Sequence, residues 1–324
     1  MRNTAMLGIG GYRPRKVVPN ADIVERIDSS DEWIQTRSGI KTRRVAAADE
    51  TVPMMSREAA EKALQRAGVT PDQVDCVIVA TVSHMLQTPA AATMIANELG
   101  ATPAAAFDIS AACAGFCYGV ALASDMVRGG TATYVLVIGV ERLTDLTDFE
   151  DRSTAFLFAD GAGATVVGPA EQPGISPVIW GSDGSKFDLI RQEEAWDEVF
   201  ETGKPEWPHL RMEGNPVFRW ASYEMAKVCR RALEAAELEP ADLDAFIPHQ
   251  ANMRITDAMA RTLKLPDNVA IARDIADQGN TSAASIPLAM ERMLDEGTIK
   301  SGDKALLVAF GAGLAYAAQV VTVP

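Results

Sequence analysis

Three residues far apart along the chain have types and settings that suit thioester chemistry: Cys113, His249 and Asn280. Cys113 lies in Asp-Ile-Ser-Ala-Ala-Cys-Ala-Gly-Phe, where an expected strand gives way to an expected helix. The first turn of a helix offers unpaired N–H groups and partial positive charge, which favour thiolate and can bring its pKa to roughly 3.5–7.5. The small residues Ala111, Ala112, Ala114 and Gly115 leave room for a carbonyl beside the sulfur. His249, in Ile-Pro-His-Gln-Ala-Asn-Met-Arg, stands where another strand ends, a place suited to moving a proton or holding an oxyanion. Asn280, in Gly-Asn-Thr-Ser-Ala-Ala-Ser-Ile-Pro, can donate its amide to an oxyanion while staying uncharged. Each has a plainer reading in isolation: a buried structural thiol, a loop or capping histidine, a helix N-cap. Gly311-Ala312-Gly313 would let backbone amides approach a ligand, or would simply link two strands. Cys113 and Cys117 form a CxxxC pair, but no second Cys/His pair lies nearby at zinc spacing, so no metal site is read.

The elements that must bring these residues together alternate strand and helix, the mark of an α/β fold. In the first half helices are expected over 53–67, 89–99 and 113–128, with strands over 75–81, 104–109 and 134–141. The second half repeats the order, with helices over 217–236, 253–263 and 283–296 and strands over 244–248, 269–272 and 304–310. An offset of 169 maps Val69, Pro71, Val74, Asp75 and Ile78 onto Leu238, Pro240, Leu243, Asp244 and Ile247, and sets Cys113 opposite Ser282. Two related halves packed face to face would join their strand-to-helix turns, where ligands of open α/β sheets collect. The expected division is a half over 1–170 with the cysteine, an inserted cap over 171–216, and a half over 217–324 with His249 and Asn280.

Composition narrows the function classes. With 324 residues, 48% hydrophobic and 23% charged, the chain can fill a core. A formal net charge of −14 sets it against nucleic acid and anionic membrane, so an anionic ligand needs a local basic patch. The uncharged stretch 305–324 is split by Gly311 and Gly313 into two strand-like pieces, and no membrane span is expected. The apolar stretch at the N-terminus is too short and glycine-broken for a signal peptide, and four cysteines without one suit a reducing cytoplasm.

Together the three motifs, in this order, with Asp31-Glu32-Trp33-Ile34-x-x-Arg37-x-Gly39-Ile40, resemble β-ketoacyl-acyl-carrier-protein synthase III over nearly the whole chain. The resemblance implies the thiolase fold, two duplicated βαβαβαββ halves forming a five-layered αβαβα core, and a homodimer. It implies acyl transfer from coenzyme A to Cys113, then decarboxylation of malonyl carrier protein and attack on the acyl-cysteine. His249 and Asn280 would hold the malonyl thioester oxygen, and the backbone N–H groups of Cys113 and Ala312 would form an oxyanion hole. Trp33 would stack the adenine, with Arg37 and Arg152 near the nucleotide end. Gln250, Arg254, Arg219 and Arg261 would dock an acidic carrier protein, and Thr88 and Phe310 would line the acyl pocket. Acyl-CoA and malonyl carrier protein enter as substrates, and no cofactor is expected. The leading expectation is the initiating step of fatty acid synthesis, in the cytoplasm; the alternative is a priming ketosynthase or starter-unit acyltransferase of a type II polyketide pathway. Degradative thiolases need a second cysteine near the C-terminus, and none follows Cys229.

Overall fold

Burial along the central strands alternates between two kinds of neighbour, and this places the layers. In Cys76–Ala80, Cys76 and Ile78 pack into one apolar cluster while Val77 and Val79 pack into another. Successive side chains of a strand point to opposite faces, so a strand buried throughout must be covered on both. The computed structural model describes residues 2–203 and 207–324.

The strands of the two principal sheets are numbered in chain order, as are the six main helices around them. The first sheet holds β1 (Asn3–Tyr12), β2 (Cys76–Ala80), β3 (Ala105–Ile109), β4 (Val135–Arg142) and β5 (Asp160–Ala170), in the order β1-β5-β4-β2-β3. The second holds β6 (Ile179–Ser182), β7 (Ala245–Pro248), β8 (Ala270–Ile271), β9 (Lys304–Gly311) and β10 (Ala315–Thr322), in the order β6-β10-β9-β7-β8. Order and direction match strand for strand: the two pairs toward β3 and β8 run parallel, and the two pairs toward β1 and β6 run antiparallel.

Helices α3 (Gly115–Gly129) and α6 (Ser285–Asp295) lie between the sheets, where Phe116, Val120, Ile286 and Met290 share a cluster with strands of both. Helices α1 (Val52–Ala67) and α2 (Ala91–Leu99) cover the outer face of the first sheet, and α4 (Gly214–Ala235) and α5 (Met253–Leu263) that of the second. The result is an αβαβα stack built from two βαβαβαββ repeats. Local signals act as expected: Thr51 caps α1, and Gly130 closes α3 at a φ of 79°.

Two expectations change. The segment 171–216 is not wholly an insertion, because β6 lies within it and is the first strand of the second sheet. What departs from the repeat there is 183–213; its counterpart in the first half, 13–51, carries the helix Asp31–Ser38 with Trp33. The offset also grows by one residue before the helices between the sheets. Ala112 and Ser282, with φ of 45° and 49°, open equivalent turns, so Cys113 corresponds to Ala283. The uncharged C-terminal stretch is the β9–β10 pair, and among the described residues no helix is long and apolar enough to cross a membrane.

Candidate active site

Each half contributes a strand-to-helix turn, and each turn packs on a strand of the other half. The glycines at the contacts show how closely. A Cβ at Gly139 of β4 would lie 2.3 Å from the Ala283 carbonyl oxygen. A Cβ at Gly311, at the end of β9, would lie 2.9 Å from the Cys113 nitrogen and 3.1 Å from its sulfur. Only a residue without a side chain allows such an approach. Cys113, His249 and Asn280 thereby line one cavity of about 540 Å³, together with Trp33, Phe310 and Gly311.

Cys113 sits in a tight 3₁₀ turn, Ala112–Ala114, just ahead of α3. The setting does not lower its pKa as the sequence suggests. Burial pushes the thiol up to about 12, opposed by a hydrogen bond with Ser282. In the resting site the sulfur therefore carries its proton.

His249 follows β7 and is held by its own N–H, which donates to the Val308 carbonyl at 2.7 Å. The ring is buried, edge-on to Phe310 with centroids 5.5 Å apart, and burial takes its pKa down to about 3. The imidazole is thus neutral at ordinary pH. Its Nδ1 lies 2.7 Å from Ser285 Oγ, which accepts the Gln250 N–H at 3.3 Å. A serine hydroxyl that donates to Nδ1 leaves the ring hydrogen on Nε2, the tautomer that can serve an oxyanion.

Asn280 is fixed by backbone bonds on both sides, its N–H to Leu157 and its carbonyl to the Ala159 N–H, each at 2.9 Å. Its side-chain oxygen accepts the Ser282 N–H at 2.9 Å. A backbone donor demands the oxygen end of the amide, so the NH₂ end is the one left for the cavity. A neutral imidazole and a carboxamide NH₂ on the walls of one cavity suit an oxygen that gains negative charge.

At the mouth, Trp33 stands edge-on to Phe156 at 5.5 Å, with the Arg152 guanidinium 5.0 Å above its ring. Arg37 and Arg254 also line the opening, and Arg254 rests on the Phe218 ring at 4.9 Å. Arg261 is exposed seven residues on along the same face of α5. Arg219 is exposed on α4 in a neighbouring cleft shared with Lys186, Lys227 and Arg231.

One expected site residue does not fit its role. Gln250 is buried, with its amide tied to the Pro248 carbonyl at 2.7 Å and the Ile275 N–H at 3.1 Å, so it braces the site and meets no partner. Thr88 is exposed on the 82–90 loop and is not among the residues of this chain that line its own cavity. Phe310 lines the cavity as expected and also supports His249. Ala312 directly follows Gly311 at the start of the turn Ala312–Leu314. Sequence reasoning passed over Ser282 and Ser285; their place in the Asn-Thr-Ser-Ala-Ala-Ser run beside Asn280 was the available signal.

Comparison with known proteins agrees with this geometry. Two family profiles match, described as 3-oxoacyl-[acyl-carrier-protein] synthase III over residues 107–184 and its C-terminal part over 233–323. The β-ketoacyl-[acyl-carrier-protein] synthase III of Streptomyces glaucescens is 62% identical over 319 residues, 98% of this chain and 96% of that one. The corresponding enzyme 1 of Streptomyces coelicolor is 60% identical, over the same shares. Among solved structures, the priming β-ketosynthase of the R1128 polyketide pathway superposes with a TM-score of 0.98 at 46% identity, covering 100% of this chain and 97% of that one. The 3-oxoacyl-[acyl-carrier-protein] synthase III of Aquifex aeolicus gives 0.92 at 39% identity, covering 99% and 100%. With the duplicated five-layered core and the three-residue cavity in place, the chain belongs to the β-ketoacyl-[acyl-carrier-protein] synthase III family, condensing acyltransferases of the thiolase fold.

Proposed function

We propose that this protein condenses an acyl-CoA primer with malonyl carrier protein, giving 3-oxoacyl carrier protein, coenzyme A and CO₂, as the initiating step of fatty acid synthesis. The observation that carries the reading is a protonated thiol, a neutral imidazole and a free amide sharing one cavity. Cys113 takes the acyl group from coenzyme A. Malonyl carrier protein then enters, and as CO₂ leaves, the thioester oxygen gains charge that His249 Nε2–H and the Asn280 amide stabilise. The resulting enolate attacks the acyl carbon, whose oxygen is held by the N–H groups of Cys113 and Ala312.

Trp33 is the surface for the adenine, flanked by Arg37 and Arg152. Arg254, Arg261 and Arg219 receive the acidic carrier protein; within a Debye length of about 10 Å such a patch outweighs the distant net negative charge. Coenzyme A and carrier protein are consumed as thioester substrates, and the chemistry calls on no further cofactor. Four free thiols suit a cytoplasmic enzyme.

Mixing the protein with acyl-CoA and malonyl carrier protein tests this directly: 3-oxoacyl product and CO₂ are expected in equal amounts. Consumption of acyl-CoA without CO₂ would leave a simple acyltransferase. The likeness to a polyketide priming ketosynthase favours a second reading with the same chemistry and another carrier. Acetyl, isobutyryl and longer primers, each assayed with both kinds of carrier, separate the two.

The protein also fits a homodimer. Strand β3 is an outer strand of its sheet and its exposed side chains include Phe107, whereas neighbouring β2 is buried throughout. Val82, Leu86, Trp196 and Trp207 surround the same cleft and are likewise exposed. Unpaired strand edges with apolar flanks invite a partner, and two copies can pair here about a twofold axis. Sedimentation should show a dimer that Phe107→Asp converts to monomer; a wild-type monomer at micromolar concentration would count against the arrangement.

A further inference from the structure

One buried side chain that the chemistry above does not use is bonded toward both ends of the site. Arg43, in the strand Thr42–Val45, is wholly buried and is the largest such side chain among the described residues. All its hydrogen bonds there go to uncharged oxygens. Nη1 donates to the Val18 carbonyl at 3.0 Å, and Nη2 donates to Asn20 Oδ1 at 2.6 Å and to the Phe156 carbonyl at 3.0 Å. Its Nε has no hydrogen-bond partner. Burial brings the guanidinium down to about 10, so it keeps its charge at neutral pH. A buried charge of this kind is unfavourable unless hydrogen bonds compensate it, and a planar fork is the group that reaches oxygens on several segments at once.

Two chains of contacts start at that fork. The first runs to the surface that receives the adenine. Asn20 is buried, and its Nδ2 donates to Asp31 Oδ1 at 2.7 Å and to the Ile40 carbonyl at 2.8 Å. Arg43 thus orients the amide that anchors the chain at both ends of the helix Asp31–Ser38, which carries Trp33 and Arg37. Phe156, edge-on to Trp33, has its carbonyl held by Arg43 directly.

The second chain runs to Asn280. Leu157, next after Phe156, accepts the Asn280 N–H, and the Ala159 N–H donates to the Asn280 carbonyl, each at 2.9 Å. From the other side, a Cβ at Gly279 would lie 2.9 Å from Arg43 Cβ. The Lys41 N–H donates to the Ala276 carbonyl at 2.7 Å, and Thr42 Oγ1 to the Asp277 carbonyl at 2.8 Å. The strand that carries Arg43 therefore also pins the segment from which Asn280 emerges.

We propose that Arg43 is a positioning residue that sets the Trp33–Phe156 seat and the Asn280 amide in register with each other, through its fork and not through its charge. The proposal rests on the roles given to Trp33 and Asn280 above. A displacement of about 1 Å at a reacting group can lower a rate on the order of 10²-fold, so a brace of three hydrogen bonds behind the site bears on turnover without touching substrate.

The test compares Arg43→Lys and Asn20→Ala with wild type in two assays: calorimetric titration with coenzyme A, and release of CO₂ from malonyl carrier protein. Arg43→Lys keeps the positive charge and loses the fork. It should bind coenzyme A roughly 10-fold more weakly, the worth of one aromatic contact, and decarboxylate roughly 10²-fold more slowly. Asn20→Ala cuts only the branch to the helix, so it should weaken coenzyme A binding and leave decarboxylation close to wild type. A wild-type value in either assay for Arg43→Lys overturns the proposal. So does wild-type coenzyme A affinity in Asn20→Ala, which also decides the matter should Arg43→Lys fail to fold. Equal losses in both assays for Asn20→Ala overturn it as well, because a general loosening of the fold produces them. Trp33→Ala and Asn280→Ala, run alongside, check the roles beneath it. Wild-type coenzyme A affinity in the first, or wild-type decarboxylation in the second, removes that reading whatever Arg43→Lys does.

Discussion

Replacing Cys113 with alanine is expected to abolish acyl-enzyme formation, lowering the overall rate on the order of 10⁴-fold or more, the scale seen when a nucleophile is removed. The substitution deletes one sulfur at a cavity wall, so the fold should persist and a thermal melt should stay close to wild type. Alternative nucleophiles are absent for a physical reason. Cys76, Cys117 and Cys229 are wholly buried. None of them lines the cavity, whereas Cys113 does and is only partly buried, within reach of a substrate carbonyl. Intact-protein mass spectrometry after exposure to acyl-CoA should therefore show one adduct on the wild type and none on the variant. An acyl adduct that persists on Cys113→Ala would remove the nucleophile assignment and the mechanism built on it.

That Cys113, His249 and Asn280 converge was legible because duplication constrains geometry more strongly than any motif does. Once the halves repeat, the strand-to-helix turns must meet at the seam, and the three residues sit at such turns. The β6 strand was harder to see, being four residues long and carried in a segment rich in proline, glycine and charge. Too few alternations remain there for a period of two to stand out. The thiol pKa went astray for a related reason. A sequence shows that a helix begins near Cys113, but not that Gly311 and the second half pack tightly against the sulfur. Gln250 stands next to the functional histidine, and only its buried bonds to Pro248 and Ile275 reveal a brace. Adjacency along the chain does not say which way a side chain turns.

His249→Ala should separate the two half-reactions. Acylation uses Cys113 and backbone donors, so it should persist, while decarboxylation should fall roughly 10²- to 10³-fold, the usual loss for one oxyanion donor. Equal damage to both steps would count against the division of labour. The pH behaviour supplies an independent check. The folded pKa of about 3 lies below the ordinary histidine value of 6.5, so the unfolded chain binds more protons as pH falls. The contribution of this group to stability is therefore intact above about 6.5 and is lost progressively as pH drops toward 3. Catalytically, the imidazole remains a neutral donor across pH 5–9, and decarboxylation should show no histidine titration there. Melting curves should thus fall more steeply on the acid side for the wild type than for His249→Ala. A decarboxylation rate that titrates near 6.5 and vanishes with the histidine would mean that the ring works as an exchanging acid or base. The buried ring would then have to meet water during turnover.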